Sequence, residues 1–144
     1  MEKNAVWIGS SKGMDNPCPI FIKKFHLPTK LSTATICIAA NGTYKTTLNG
    51  KYIDDRISAS GRADITDMLT FNNTLEITLG NNDMQSAPAK LMVSIRIEYI
   101  NGATETICSG KDWHVKESNH HESKTSEIYN AIELDGNTND LTDK

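Results

Sequence analysis

Apolar and polar residues alternate with a period of two along much of the chain. Leu91, Val93, Ile95, Ile97 and Tyr99 fall on one side of an extended segment, and Met92, Ser94, Arg96 and Glu98 on the other. Successive side chains of a strand point to opposite faces, so this pattern predicts a strand with one face on a core and one nearer water. Leu75, Ile77 and Leu79 alternate with Thr74, Glu76 and Thr78 in the same manner. Thr35, Ile36, Cys37 and Ile38 make a short β-branched, apolar run that predicts a central strand. Phe21 and Phe25, interleaved with Ile20, Ile22 and Lys23, predict another.

Turn chemistry divides these runs. Asn-Gly pairs stand at Asn41-Gly42, Asn49-Gly50 and Asn101-Gly102, and the reversed pair at Gly136-Asn137. Both central residues of a type I′ turn need positive φ, which makes Asn-Gly between alternating runs a strong hairpin signal. It predicts one hairpin from residues 44–48 and 51–53, and a second from 91–99 and 104–108. Helical signals are sparse: residues 64–69 predict one helical turn after a short strand. Eight or nine short strands, with turn signals roughly every 8–12 residues, predict an all-β, antiparallel β-sandwich. Residues 1–134 are expected to form this single domain, and the polar stretch 135–144 to fray as a tail.

Composition narrows the class. At 144 residues the chain suits one domain burying roughly 70% of its unfolded surface. The balance of 15 Lys+Arg against 18 Asp+Glu, a formal charge of -3, lacks the basic excess of an electrostatic nucleic-acid binder. No apolar run approaches a membrane span, and Met1-Glu2-Lys3-Asn4 leads into only four apolar-leaning positions, too few for a secretory signal. Cytoplasmic residence is the expectation. Cys18, Cys37 and Cys108 are odd in number and lack CxxC spacing, so they are expected to be free, buried small hydrophobes.

Catalytic patterns are few. His120, His121, His114 and Glu122 cluster in sequence, but neighbours in an extended segment point apart, against a zinc site. Nucleophile-elbow and phosphate-loop patterns do not occur. Asp54-Asp55 supplies paired carboxylates, which in one loop form a solvated face more often than an acid/base pair across a sugar. Trp7 and Trp113, set in apolar strand patterns, are expected to close the core. Tyr44, Tyr52 and Tyr129 lie nearer turns, where a ring can be open to a ligand; for Tyr44 and Tyr52 a cross-strand packing pair is an equal expectation.

Several segments in order carry a resemblance. They are Ala5-Val6-Trp7-Ile8, Pro19-Ile20-Phe21-Ile22-Lys23-Lys24-Phe25, Ala34-Thr35-Ile36-Cys37-Ile38, Thr47-Leu48-Asn49-Gly50-Lys51 and Asp64-Ile65-Thr66-Asp67. Asn73-Thr74-Leu75-Glu76-Ile77, Ile95-Arg96-Ile97-Glu98-Tyr99, Asp112-Trp113 and Ile128-Tyr129-Asn130 follow. Together they resemble the N-terminal β-sandwich domain of bacterial α-L-rhamnosidases, a jelly roll akin to galactose-binding-like carbohydrate modules. The chain departs from that pattern after Gly80, where Asn81-Asn82-Asp83-Met84 replaces a Trp-Tyr pair. It departs again after Asn130, where Ala131-Ile132-Glu133-Leu134 replaces Gly-Glu and a Tyr-Asp-Ala-Arg run.

The resemblance implies a non-catalytic accessory module, because the family's active site belongs to a separate helical barrel of several hundred residues. It implies carbohydrate as partner, a rhamnoside or galactoside, and a neighbouring catalytic domain or a second copy as possible company. It also implies calcium as a candidate cofactor, for which Asn49, Asp54, Asp55 and Asn130 carry suitable oxygens. Asn49, Tyr52, Asp54, Tyr129 and Asn130 are the expected sugar-contact residues, presented from loops at one end or from a concave sheet face. The alternative is a structural or interaction β-sandwich, an interdomain scaffold or homodimer, with no sugar site. A small glycosidase acting through Asp54 or Asp55 is a third and weaker reading.

Overall fold

The alternating runs form strands where their periodicity places them. The structure, a computed structural model, describes residues 4–12, 18–80, 88–117 and 128–134. Among these residues the strands are β1 (Ile8–Gly9), β2 (Pro19–His26), β3 (Leu31–Ala40), β4 (Tyr44–Leu48), β5 (Lys51–Tyr52) and β6 (Arg62–Asp64). They continue with β7 (Asn72–Leu79), β8 (Lys90–Tyr99), β9 (Thr104–Cys108), β10 (His114–Glu117), β11 (Ile128–Asn130) and β12 (Ile132–Glu133). Short 3₁₀ turns at Asp54–Arg56 and Thr66–Met68 are the helical segments described, the second where a helical turn is expected. Thr66 N–H donates to Asp64 Oδ1 at 2.9 Å, so the Asp side chain starts that turn. The Thr66 hydrogen bonds also hold the Asp64 carboxyl below its usual range.

The strands form two six-stranded sheets. Sheet A has the order β12-β1-β8-β3-β6, with β9 on β8. Sheet B has the order β11-β10-β2-β7-β4-β5. Every pairing is antiparallel. Among the described residues twelve strands stand where eight or nine are expected. β1, β5, β6, β11 and β12 have only two or three residues, too few for an alternation to show in sequence. Both expected hairpins form, as β4–β5 and β8–β9. Asn49 (φ 54°) and Gly50 (φ 84°) both have the positive φ of a type I′ turn. The second hairpin closes differently: Gly102 alone has positive φ, and Tyr99 N–H bonds Ala103 across a longer loop.

Alternation builds the core. Phe21, Ile77 and Val115 are cross-strand neighbours in sheet B, and Ile36, Ile95 and Ala63 in sheet A; all are buried in one cluster. Trp113 is fully buried, and its Nε1–H donates to Cys108 O at 3.1 Å, which satisfies its polar edge. Trp7 departs from expectation. It is half-buried outside the core cluster, with the Lys90 ammonium 4.5 Å from its ring centroid. It precedes Ile8, whose side chain is buried in the core, so alternation turns the Trp7 ring the other way.

Cys18, Cys37 and Cys108 are half-buried rather than buried. Cys37 and Cys108 pair across β8 with Ser94, on the side opposite the core. Two strand spacings separate them, roughly 10 Å, too far for a disulfide. Met92 and Ser94 share that side of β8 yet are buried, so this strand is less exposed outwardly than its alternation implies.

Two positions test the backbone. Gly50 and Gly61 have the same φ, 84°, a region L side chains rarely adopt. A Cβ on Gly50 would meet nothing within 4 Å, whereas one on Gly61 would lie 2.3 Å from Ile38 O. Gly50→Ala is therefore expected to cost about 1–2 kcal/mol. Gly61→Ala is expected to cost distinctly more, because the backbone of β3 must also shift. Paired urea denaturation curves read the difference.

A second expectation concerns pH. The Tyr99 hydroxyl donates to Glu105 Oε1, and burial together with that carboxylate pushes the phenol up to about 12. The folded state thus favours the neutral phenol, whose unfolded value is near 10. The resulting stabilisation is complete below about pH 10 and is lost as pH rises through about 12. Tyr99→Phe should show a shallower loss of stability across this window than the parent, measured by denaturant titration at stepped alkaline pH.

Candidate functional site

The register of sheet B determines which side chains share its outer face, since directly opposed residues lie on one side. Phe21, Ile77, Val115 and Thr46 form an inward row. The adjacent row points outward. It reads Tyr52, Thr47, Glu76, Ile22, His114, Asn130 from β5 to β11. At about 4.8 Å per strand this row is roughly 24 Å long. On its β2–β10 side lies a groove of about 440 Å³ lined by Ile22, Lys24, Glu76, His114, Lys116 and Ile128, with Lys23 and Asp112 at its margin.

The groove is charged and braced. Lys23 Nζ lies 2.7 Å from Asp112 Oδ2, and Lys116 Nζ 3.8 Å from Glu76 Oε2. Ile22 is buried at the floor, while Ile128 is exposed at the wall. The floor is therefore apolar and the rim carries ammonium, imidazole and carboxylate groups. That combination suits a ligand with apolar patches and many hydroxyls.

The five expected contact residues do not converge. Tyr52 and Asn130 stand at opposite ends of the outward row, flanking the groove; both are exposed. The other three have structural tasks. Asn49 Nδ2–H donates to Met68 O and to Asn73 Oδ1, and its Oδ1 accepts from Thr74 N–H, so the side chain is used in bracing the β4–β5 turn. Asp54 Oδ1 accepts from Thr46 N–H at 3.0 Å, closing the edge of β4 just beyond the last β5 pair. Burial, aided by the Asp54 charge, raises the Tyr44 phenol nearby above its usual range. Tyr129 pairs with Val115 on the inward row, packs against the core and bonds its hydroxyl to Ser10 Oγ.

This arrangement also bears on calcium. Asn49 and Asp54 already hold backbone N–H groups, and Asn130 lies on the opposite edge strand of the sheet. These residues do not fit one cation shell, and no cluster of three or more His, Cys, Asp or Glu able to hold a metal occurs among the described residues. His120, His121 and Glu122 fall outside the described residues. Asp55 lies beside Asp54 in the exposed 3₁₀ turn, next to the Arg56–Asp67 ion pair at 2.7 Å, a solvated surface rather than a cleft.

Sequence reasoning missed Lys24, Glu76 and Lys116 as neighbours. Each is an unremarkable surface residue in its own strand; only the pairing of β7, β2 and β10 brings them together. His114 lines the same groove.

Comparison with known proteins places the fold. No protein-family model and no curated protein matches the chain. Solved structures do. α-L-Rhamnosidase from Dictyoglumus thermophilum superposes with a TM-score of 0.74 at 20% identity, over 91% of this chain and 21% of that one. α-L-Rhamnosidase from Streptomyces avermitilis, solved with L-rhamnose, gives 0.71 at 20% identity, over 91% of this chain and 14% of that one. A lectin from Pleurotus ostreatus gives 0.70 at 22% identity, over 92% of this chain and 42% of that one; it has also been solved with GalNAc. The chain thus spans about a fifth of the first rhamnosidase and under half of the lectin. It has the galactose-binding-like, jelly-roll β-sandwich fold that the resemblance to rhamnosidase domains implies.

The assignment of Asn49 as a brace is testable. Asn49→Ala removes three hydrogen bonds and the residue best suited to φ 54°, and should cost about 2–3 kcal/mol. Tyr52→Ala, at an exposed site, should stay within about 0.5 kcal/mol of the parent in the same thermal or urea melts.

Proposed function

We propose that the protein is a carbohydrate-binding module that holds a saccharide, a rhamnoside or galactoside, across the outer face of sheet B without transforming it. The observation that carries this reading is the groove at Ile22, Glu76 and His114, flanked on one cross-strand row by exposed Tyr52 and Asn130. Its apolar floor receives the C–H face of a sugar ring, and its charged rim bonds the hydroxyls. Structural likeness to a lectin and to portions of glycosidases supports the same reading. Each polar contact contributes only about 0.5–1.5 kcal/mol net, so binding is weak and depends on several contacts together.

A second reading, a scaffold docked on a neighbouring domain, draws on one feature. Ile128 and Ile132, four residues apart on edge strands β11 and β12 of the two sheets, leave apolar side chains exposed.

Isothermal titration with rhamnosides and galactosides separates the two. Binding in the millimolar to micromolar range is expected, weakened about tenfold in His114→Ala and in Tyr52→Ala. Failure of every glycoside to bind would remove the first reading and leave the scaffold.

A further inference from the structure

Phe71 leaves 65% of its surface in water, although it lies between two pinned segments. Phe71 O accepts from Leu27 N–H at 2.9 Å. Thr70 N–H donates to Asn73 Oδ1, and Asn73 Nδ2–H returns to Thr70 O, both at 2.8 Å. Asn73 is itself buried and receives Asn49 Nδ2–H. Across a cavity of about 390 Å³, the facing turn at Pro28, Thr29 and Lys30 is fixed by Ile100 N–H donating to Lys30 O at 3.0 Å. Leu27, Leu31 and Leu69 line the cavity, and the His26 ring flanks Phe71 with centroids 5.9 Å apart. The backbone that carries this exposed ring is hydrogen-bonded in place, so part of the ordering cost of binding is met before any ligand arrives.

We propose that this end of the sandwich is a second sugar subsite, taking a single pyranose ring whose apolar face stacks on Phe71. The proposal rests on the reading of the fold as carbohydrate-binding. The occupant must present an apolar face to the ring and hydroxyls to its surroundings, because Thr29 and Lys30 bring a hydroxyl and an ammonium group to the same cavity, where the Thr70 hydroxyl, already donating to Asn72 O, can still accept. Its size matches a small ligand. A protein partner would need about 800 Å² of surface on each side. Along β2 the outward residues Ile22, Lys24 and His26 lead from the groove towards Phe71, so the two sites are roughly 13 Å apart and report separately.

The test is an amide NMR titration of the full chain with the methyl glycosides of L-rhamnose, D-galactose, N-acetylgalactosamine, D-glucose and D-mannose. Saturable shifts are expected at Thr29, Lys30, Thr70 and Phe71 with at least one glycoside. They should weaken tenfold or more in Phe71→Ala and persist in Phe71→Trp, with the remaining spectrum unchanged as the check on folding. The proposal is overturned by silence at these amides with all five sugars, or by shifts indifferent to Phe71→Ala. It is also overturned by shifts that follow protein rather than sugar concentration, which would mean a second copy covers the ring. Shifts confined to Ile22, Glu76 and His114 would overturn the subsite while sparing the groove; shifts confined to the Phe71 end would do the reverse.

Discussion

The antiparallel pairing of β8 with β3 organises the molecule. These two ten-residue strands run side by side from Leu91 against Ala40 to Tyr99 against Leu31. The other edge of β8 is divided, its first residues pairing with β1 and its later ones with β9. One strand therefore ties β1, β3 and the segment leading to Trp113 into a single sheet. With inward faces given to Ile95, Ile97 and Val93, the opposing sheet must supply Phe21, Ile77 and Val115 to complete the core. The side chains between them in sequence are then forced to the outside. The groove residues are a by-product of that requirement: Ile22 and Glu76 face outward because Phe21 and Ile77 must face inward.

Polar groups inside the sandwich hold the loops in place. Asn73 and Asn49 tie the β4–β5 turn to the start of β7. Ser109 accepts Val93 N–H and donates to Val6 O, linking three distant segments. A buried donor or acceptor left without a partner costs more than a formed bond contributes, so such groups select one arrangement over near alternatives. Thr46 Oγ1 is the one described buried side-chain atom without a hydrogen-bond partner. It faces the core from β4, between the Asp54 brace and Ile77.

The fold was more legible in the sequence than the site, for a physical reason. Burial imprints each long strand with its own alternation, as at Leu91 to Tyr99, and Asn49-Gly50 announces its turn through backbone sterics. These signals are local. The outward row depends on which strands become neighbours, and β10, β2 and β7 come from distant parts of the chain. Tyr52 and Asn130 were recognisable as exposed polar or aromatic positions near turns. Asn49, Asp54 and Tyr129 carry the same chemistry and were indistinguishable from them, yet the fold spends their polar atoms on its own backbone and side chains. Phe71 is apolar by type, and only the folded segment before β7 reveals its exposure. Trp7 illustrates the same ambiguity, since a one-residue offset from Ile8 decides on which side a ring falls.

The carboxylate at the margin of β4 has a consequence for the company this domain can keep. β5 pairs with only two residues of β4, Thr47 and Leu48, and Thr46 O takes Ile53 N–H just beyond them; an edge ladder left bare invites pairing with a foreign strand. By taking the Thr46 N–H, Asp54 puts a negative charge where an incoming carbonyl would have to dock. That charge disfavours the zipping of neighbouring copies, or of other sandwiches, into a continuous sheet at this border.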